Sequence, residues 1–178
     1  RLNELLKESN GVELAAVRRD QEHSLEIELP FLQVTQPNGF WLVPLMMVDQ
    51  SASMARLLSA ALLKLIQSFP PKENALLLAS SDLSHFYSER AANRLDGNLA
   101  DALQEFDLNA FYQRKQHGEI EACGFAPMAT VLQTSRLLGA EQVTVADYRT
   151  SAAVTGDRSS VVGYLSAIIS TGKADLYA

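Results

Sequence analysis

Apolar residues along the chain switch between two periods, and the switches mark its elements. Leu2, Leu5 and Leu6 fall at the three-and-four spacing of one helix face, with Asn10-Gly11 as its stop. The same spacing runs from Met54 through Leu57, Leu58, Leu62 and Leu65 to Ile66. Ser51 or Ser53 is placed to cap that helix and Pro70-Pro71 to end it. Further helical patterns run from Glu89 to Phe106 and from Leu108 to Gln116. In APMATVLQTSRLLG, 126–139, Pro127 lies near the first turn and Gly139 past the end, the asymmetry expected of a helix.

Against these stand unbroken apolar runs of strand length. FWLVPLMMV (40–48), which follows Asn38-Gly39, and ALLLAS (75–80) read as buried strands, the first weakened by Pro44. QVTVADY (142–148) and SSVVGYLSAI (159–168) read as two more, joined by a Gly/Thr/Ser/Asp loop. Continuous apolar strands alternating with helices predict a single α/β domain over 1–178, a mostly parallel or mixed central sheet flanked by helices. One stretch resists this reading. Leu25, Ile27, Leu29 and Phe31 alternate with Glu26, Glu28 and Pro30 like a strand, yet Leu25, Leu29 and Leu32 also fit a helical stripe opening near Ser24.

Composition narrows the partners. Hydrophobic residues are 47% and charged residues 20% of the 178, which suits one substantial core and excludes wholesale disorder. A formal charge of −6 argues against a surface that tracks phosphates, so nucleic acid is not an expected partner. No apolar run reaches the ~20 residues that cross a bilayer, and no membrane association is expected. Cys123 is the one cysteine, which rules out an internal disulfide and fits a reducing cytoplasm. The chain opens at Arg1 directly into a helical pattern, as a piece of a longer chain would.

Chemistry concentrates in loops. In SSDLSHF, directly after 75–79, Asp82 and His85 are three apart, and a carboxylate beside an imidazole can orient it as a general base. The plainer reading makes Asp82 a helix cap and His85 a surface residue. Cys123, in EACGFAP, precedes a helix whose positive end favours the thiolate, although a lone cysteine also serves as a small buried hydrophobe. His23 opens the ambiguous stretch, and His117, among charged residues beside Gly118, reads as a solvated loop residue.

The blocks EHSLEIELPFLQ, SSDLSHF, CGFAP and TGDRSSVVGYLSA, in this order, resemble the signature blocks of the Memo family, which includes protein B of the AmmeMemoRadiSam system. That family is similar in fold to the LigB-type class III extradiol dioxygenases, non-haem iron proteins with two histidines and a carboxylate on the metal. The resemblance implies His23 as one histidine ligand and Cys123 as a sulfur ligand standing at the carboxylate position. It implies iron, or copper or zinc, as the metal. Asp82 and His85 would line the same cleft, His85 at the position of the dioxygenase base, and a helix would begin just after His23. A His-Ala-Gly-Tyr-like block that supplies the family's other histidine ligand is absent from this sequence, together with the first strand. Ser151-Ala152 stands where many relatives carry Ser-Gly.

Three functions follow as expectations. One is a metal-dependent oxidoreductase of unknown substrate with His85 as acid and base. Another is a binding module for a small molecule, peptide or phosphopeptide that keeps the cleft without turnover. The third is a metal-free hydrolase with Cys123 as nucleophile. Homo-oligomerisation stays open.

Overall fold

The computed structural model describes residues 1–10, 14–18, 21–70 and 74–172. Its elements are α1 (Leu2–Asn10), α2 (Ser24–Thr35), α3 (Ala52–Gln67), β1 (His85–Tyr87), α4 (Glu89–Glu105), α5 (Leu108–Gln116), α6 (Phe125–Leu137), β2 (Gln142–Thr150), α7 (Ala152–Thr155) and β3 (Val161–Ser170). Gly11 and Pro71, expected to end α1 and α3, lie outside the described residues.

The helices form where period and capping coincide. Leu2, Leu5 and Leu6 of α1 bury against Leu58, Ala61 and Leu62 of α3, an apolar stripe on each helix closing on the other. Ser51 caps α3 by accepting the Met54 N–H at 3.2 Å, and Asp107 caps α5 by accepting from Asn109 and Ala110. Ahead of α6 stands Gly124, and Gly139 beyond it turns with φ +97°. The helix expected after His23 forms as α2 despite Pro30, yet none of its residues is buried, and Ile27, Phe31 and Val34 are exposed. The larger core joins Leu99 and Leu103 of α4 and Phe111 of α5 to Phe125, Ala129 and Leu132 of α6 and Val143 of β2. Within it Phe111 and Phe125 stack at 4.5 Å.

The sheet departs from expectation. It has three strands in the order β1-β3-β2, and both pairings are antiparallel, where a mostly parallel or mixed sheet was expected. The reason is the connection. Ten residues join β2 to β3, whereas a parallel crossover needs a dozen or more, so consecutive strands this close must run back on each other. Nor do 40–48 and 75–80 form strands. Trp41 and Val48 are almost fully exposed, and Leu76 and Leu78 are at least half exposed. An apolar run becomes a strand only where a neighbouring strand takes its N–H and C=O groups, and no described strand pairs with either of these two. β1 is the strand that apolar pattern missed. Three residues are too few to show a period.

Candidate functional site

The loop 80–84 gathers the chemistry through hydrogen bonds. The Ser80 hydroxyl donates to the Ser24 carbonyl at 2.8 Å, which fastens the entry of α2 to the loop. Ser81 Oγ accepts the Gly124 N–H at 2.8 Å and lies 3.4 Å from Cys123 Sγ. The Cys123 N–H donates to the Asp82 carbonyl at 3.2 Å. This closeness requires a glycine after the cysteine. A Cβ on Gly124 would come within 2.7 Å of Ser81 Cβ and 2.9 Å of the Ser80 carbonyl oxygen.

On the other side the loop is laced to β3. Leu83 N–H donates to the Gly163 carbonyl and Gly163 N–H to the Ser84 carbonyl, each at 3.0 Å. That lacing sets His85 at the start of β1, opposite Val162, with its Nε2 3.4 Å from Asp82 Oδ2. Phe86, next in the chain, has φ +63° within a break in register and exposes most of its ring. A bulky residue in the left-handed region carries strain, and here the strain adjoins the candidate base.

Beneath the loop sits a group that the sequence reading passed over. Asp96 of α4 is fully buried. Its carboxylate accepts the Ser84 N–H at 3.0 Å, the Ser84 hydroxyl at 3.1 Å and the Tyr148 hydroxyl at 2.8 Å. The Tyr148 hydroxyl also lies 3.0 Å from Asn93 Oδ1. Burial, and then the bond to Asp96, push the Tyr148 phenol far above its ordinary value. Gly163 leaves room for this arrangement, since a Cβ there would stand 1.9 Å from Asp96 Oδ2. A signal was available: Ala92, Asp96, Leu99 and Leu103 share one helical stripe, and all four are buried. An acid in that stripe is out of place unless it has partners.

Two further tyrosines edge the pair. Burial raises the Tyr164 phenol, with the Asp82 carboxylate adding to it. Tyr87 donates to Glu121 Oε2 at 2.9 Å, and that bond raises its phenol as well.

Of the four residues singled out by sequence, the structure brings Asp82 and His85 together and hangs Cys123 on the same loop. The His23 side chain is 80% exposed, with its Nδ1 2.7 Å from Glu26 Oε2, and the neighbouring Ser24 carbonyl is held by Ser80 of the same loop. His117 is exposed, 3.7 Å from Glu119, in keeping with a solvated loop residue. Among the described residues no group of three or more His, Cys, Asp or Glu side chains could hold a metal ion. No described helix is long and apolar enough to cross a membrane.

Comparison with known proteins adds to the geometry. A family model described as Memo-like protein matches residues 1–168. A MEMO1 family protein of Nitrosopumilus maritimus is 33% identical over 161 residues, covering 90% of this chain and 57% of that protein. MEMO1 family proteins of Methanobrevibacter smithii and Thermotoga maritima are each 36% identical, over 148 and 149 residues. They cover 83% and 84% of this chain, and in both cases 51% of the relative. The chain thus spans about half the length of the curated relatives it matches.

Proposed function

The chain belongs to the Memo-like protein family, and from that premise we propose that it carries the acid–base side of a dioxygenase-like cleft. The observation behind this reading is the Asp82–His85 pair, 3.4 Å apart on a loop that also holds Cys123. In this reading His85 takes up and returns a proton at Nδ1, the ring nitrogen opposite the Nε2 that faces Asp82. The Asp82 carboxylate orients the ring, and the Asp96–Ser84 bonds hold the loop from below. Both groups are partly exposed, so a substrate has access to them. Turnover as an iron-dependent oxidoreductase of unknown substrate is proposed for the whole protein, with His23 and Cys123 as ligand candidates.

A second reading is a binding module for a small molecule or (phospho)peptide that keeps the cleft without turnover. Elemental analysis after exposure to iron(II) or zinc(II), paired with an oxygen-uptake assay, separates the two. The chain, His23→Ala and Cys123→Ser are compared. Two ligands hold a metal weakly, so the chain is expected to retain well under one equivalent, and the variants less still. Equal metal content in all three would remove His23 and Cys123 as ligands and leave the binding module. Stoichiometric metal with oxygen uptake would establish the oxidoreductase.

A further inference from the structure

We infer that the cavity alongside Cys123 is a recognition site for a small organic carboxylate with an apolar body. The cavity has a volume of about 380 Å³ and opens between the first turn of α3, α5 and the start of α6. Its walls include Ala52, Ala122 and the Phe125 ring as apolar surface, and Cys123, Tyr112 and Lys115 as polar groups. An empty apolar cavity of roughly 150 Å³ admits benzene, so this one has room for a ring and a carboxylate together.

Charge selects the anion. The chain carries a formal charge of −6, yet no carboxylate lines this cavity and a lysine does. The Lys115 ammonium lies 5.5 Å over the Phe125 ring and forms no ion pair among the described residues. Phe125 is itself stacked on Phe111, so the cation rests on a rigid platform. Tyr112 also lines the cavity, with its hydroxyl closed off from solvent. One ammonium over an aromatic wall matches a monoanionic carboxylate on an apolar body better than a dianion, which would call for more cations. The inference does not rest on the acid–base reading, because neither Asp82 nor His85 lines the cavity.

The lone cysteine makes the test direct. Iodoacetate and iodoacetamide react alike with a thiolate, each forming an S–CH₂ bond as iodide leaves, but only iodoacetate carries a carboxylate. The readout is the ratio of their rates at Cys123 at fixed pH and low salt. Any change in the thiol itself cancels in that ratio. Lys115→Gln is expected to lower the ratio about three-fold or more, given a unit charge at the ~7 Å scale of the cavity, and Lys115→Arg to restore it. Phenylacetate is expected to slow iodoacetamide in the wild-type chain and to lose this protection in Lys115→Gln. A wild-type ratio equal to that of glutathione, or one unchanged in Lys115→Gln, would overturn the site. Protection by inorganic phosphate at the same concentration as phenylacetate would overturn the assignment to a carboxylate.

Discussion

Gly163 and Asp96 should be energetically inseparable. A Cβ built on Gly163 stands 1.9 Å from Asp96 Oδ2 and 2.7 Å from its Cγ. The carboxylate cannot swing aside, because it is fully buried and held by Ser84 and Tyr148. Gly163→Ala therefore forces overpacking, about 1–3 kcal/mol, and displaces at least one bond whose buried donor costs about 1–3 kcal/mol more. Together these give about 2–6 kcal/mol. Asp96→Ala strands the Ser84 N–H and hydroxyl, while Tyr148 keeps Asn93, at about 2–5 kcal/mol. In the double variant the new methyl enters the space vacated by the carboxylate. Its stability should then match Asp96→Ala alone, a coupling equal to the whole cost of Gly163→Ala, about 2–6 kcal/mol. Equilibrium urea unfolding of the four proteins, followed by circular dichroism, measures the cycle. A double variant that folds where Gly163→Ala does not is the same result in stronger form. Single effects that add to within about 0.5 kcal/mol would refute the contact.

Two other glycines should respond in opposite directions. Gly97, exposed within α4 with nothing within 4 Å of a new Cβ, should gain up to about 1 kcal/mol on substitution by alanine, whereas Gly124→Ala, meeting Ser81 Cβ at 2.7 Å, should lose about 1–3 kcal/mol; denaturant midpoints decide both. Tyr148 makes stability depend on alkaline pH. Its phenol is raised in the fold above the unfolded value of about 10, so its contribution is intact below pH 10 and declines as pH climbs from there towards the folded value. The ceiling is about 1.4 kcal/mol per pH unit, reduced by solvent at this half-buried group. Tyr148→Phe should be less stable at pH 7, by about 1–2 kcal/mol for the lost bonds, yet show a flatter decline between pH 10 and 11.5. Parallel declines in the two proteins would count against it.

The helices were legible because their information is local. Ser51, Asp107 and Gly139 act within a turn of where they stand, and Leu58 with Leu62 need only the period of their own helix to face inward. The sheet was not legible in the same way. FWLVPLMMV and ALLLAS spell a demand for burial, but pairing belongs to the neighbour and is written nowhere in the run itself. The direction of β2 and β3 was readable after all, from the length of the link between them rather than from the strands.

The site divides along the same line. Asp82 and His85 could be paired from sequence because a three-residue spacing on one loop carries their geometry. Cys123 reaches that loop by tertiary contact alone: its backbone N–H finds the Asp82 carbonyl across some forty residues, and Gly124 is the one local sign that something must come close. Asp96 lies between these cases. Its position in the stripe of Ala92, Leu99 and Leu103 announces a buried acid, while the identity of what it holds, Ser84 and Tyr148, depends on how α4 crosses the sheet. A polar residue on an apolar face is therefore the most informative exception such a sequence offers. Burying a carboxylate is tolerable only where donors have been arranged around it. Here those donors include the backbone immediately before His85, so the helix that completes the core also fixes where the candidate base can stand.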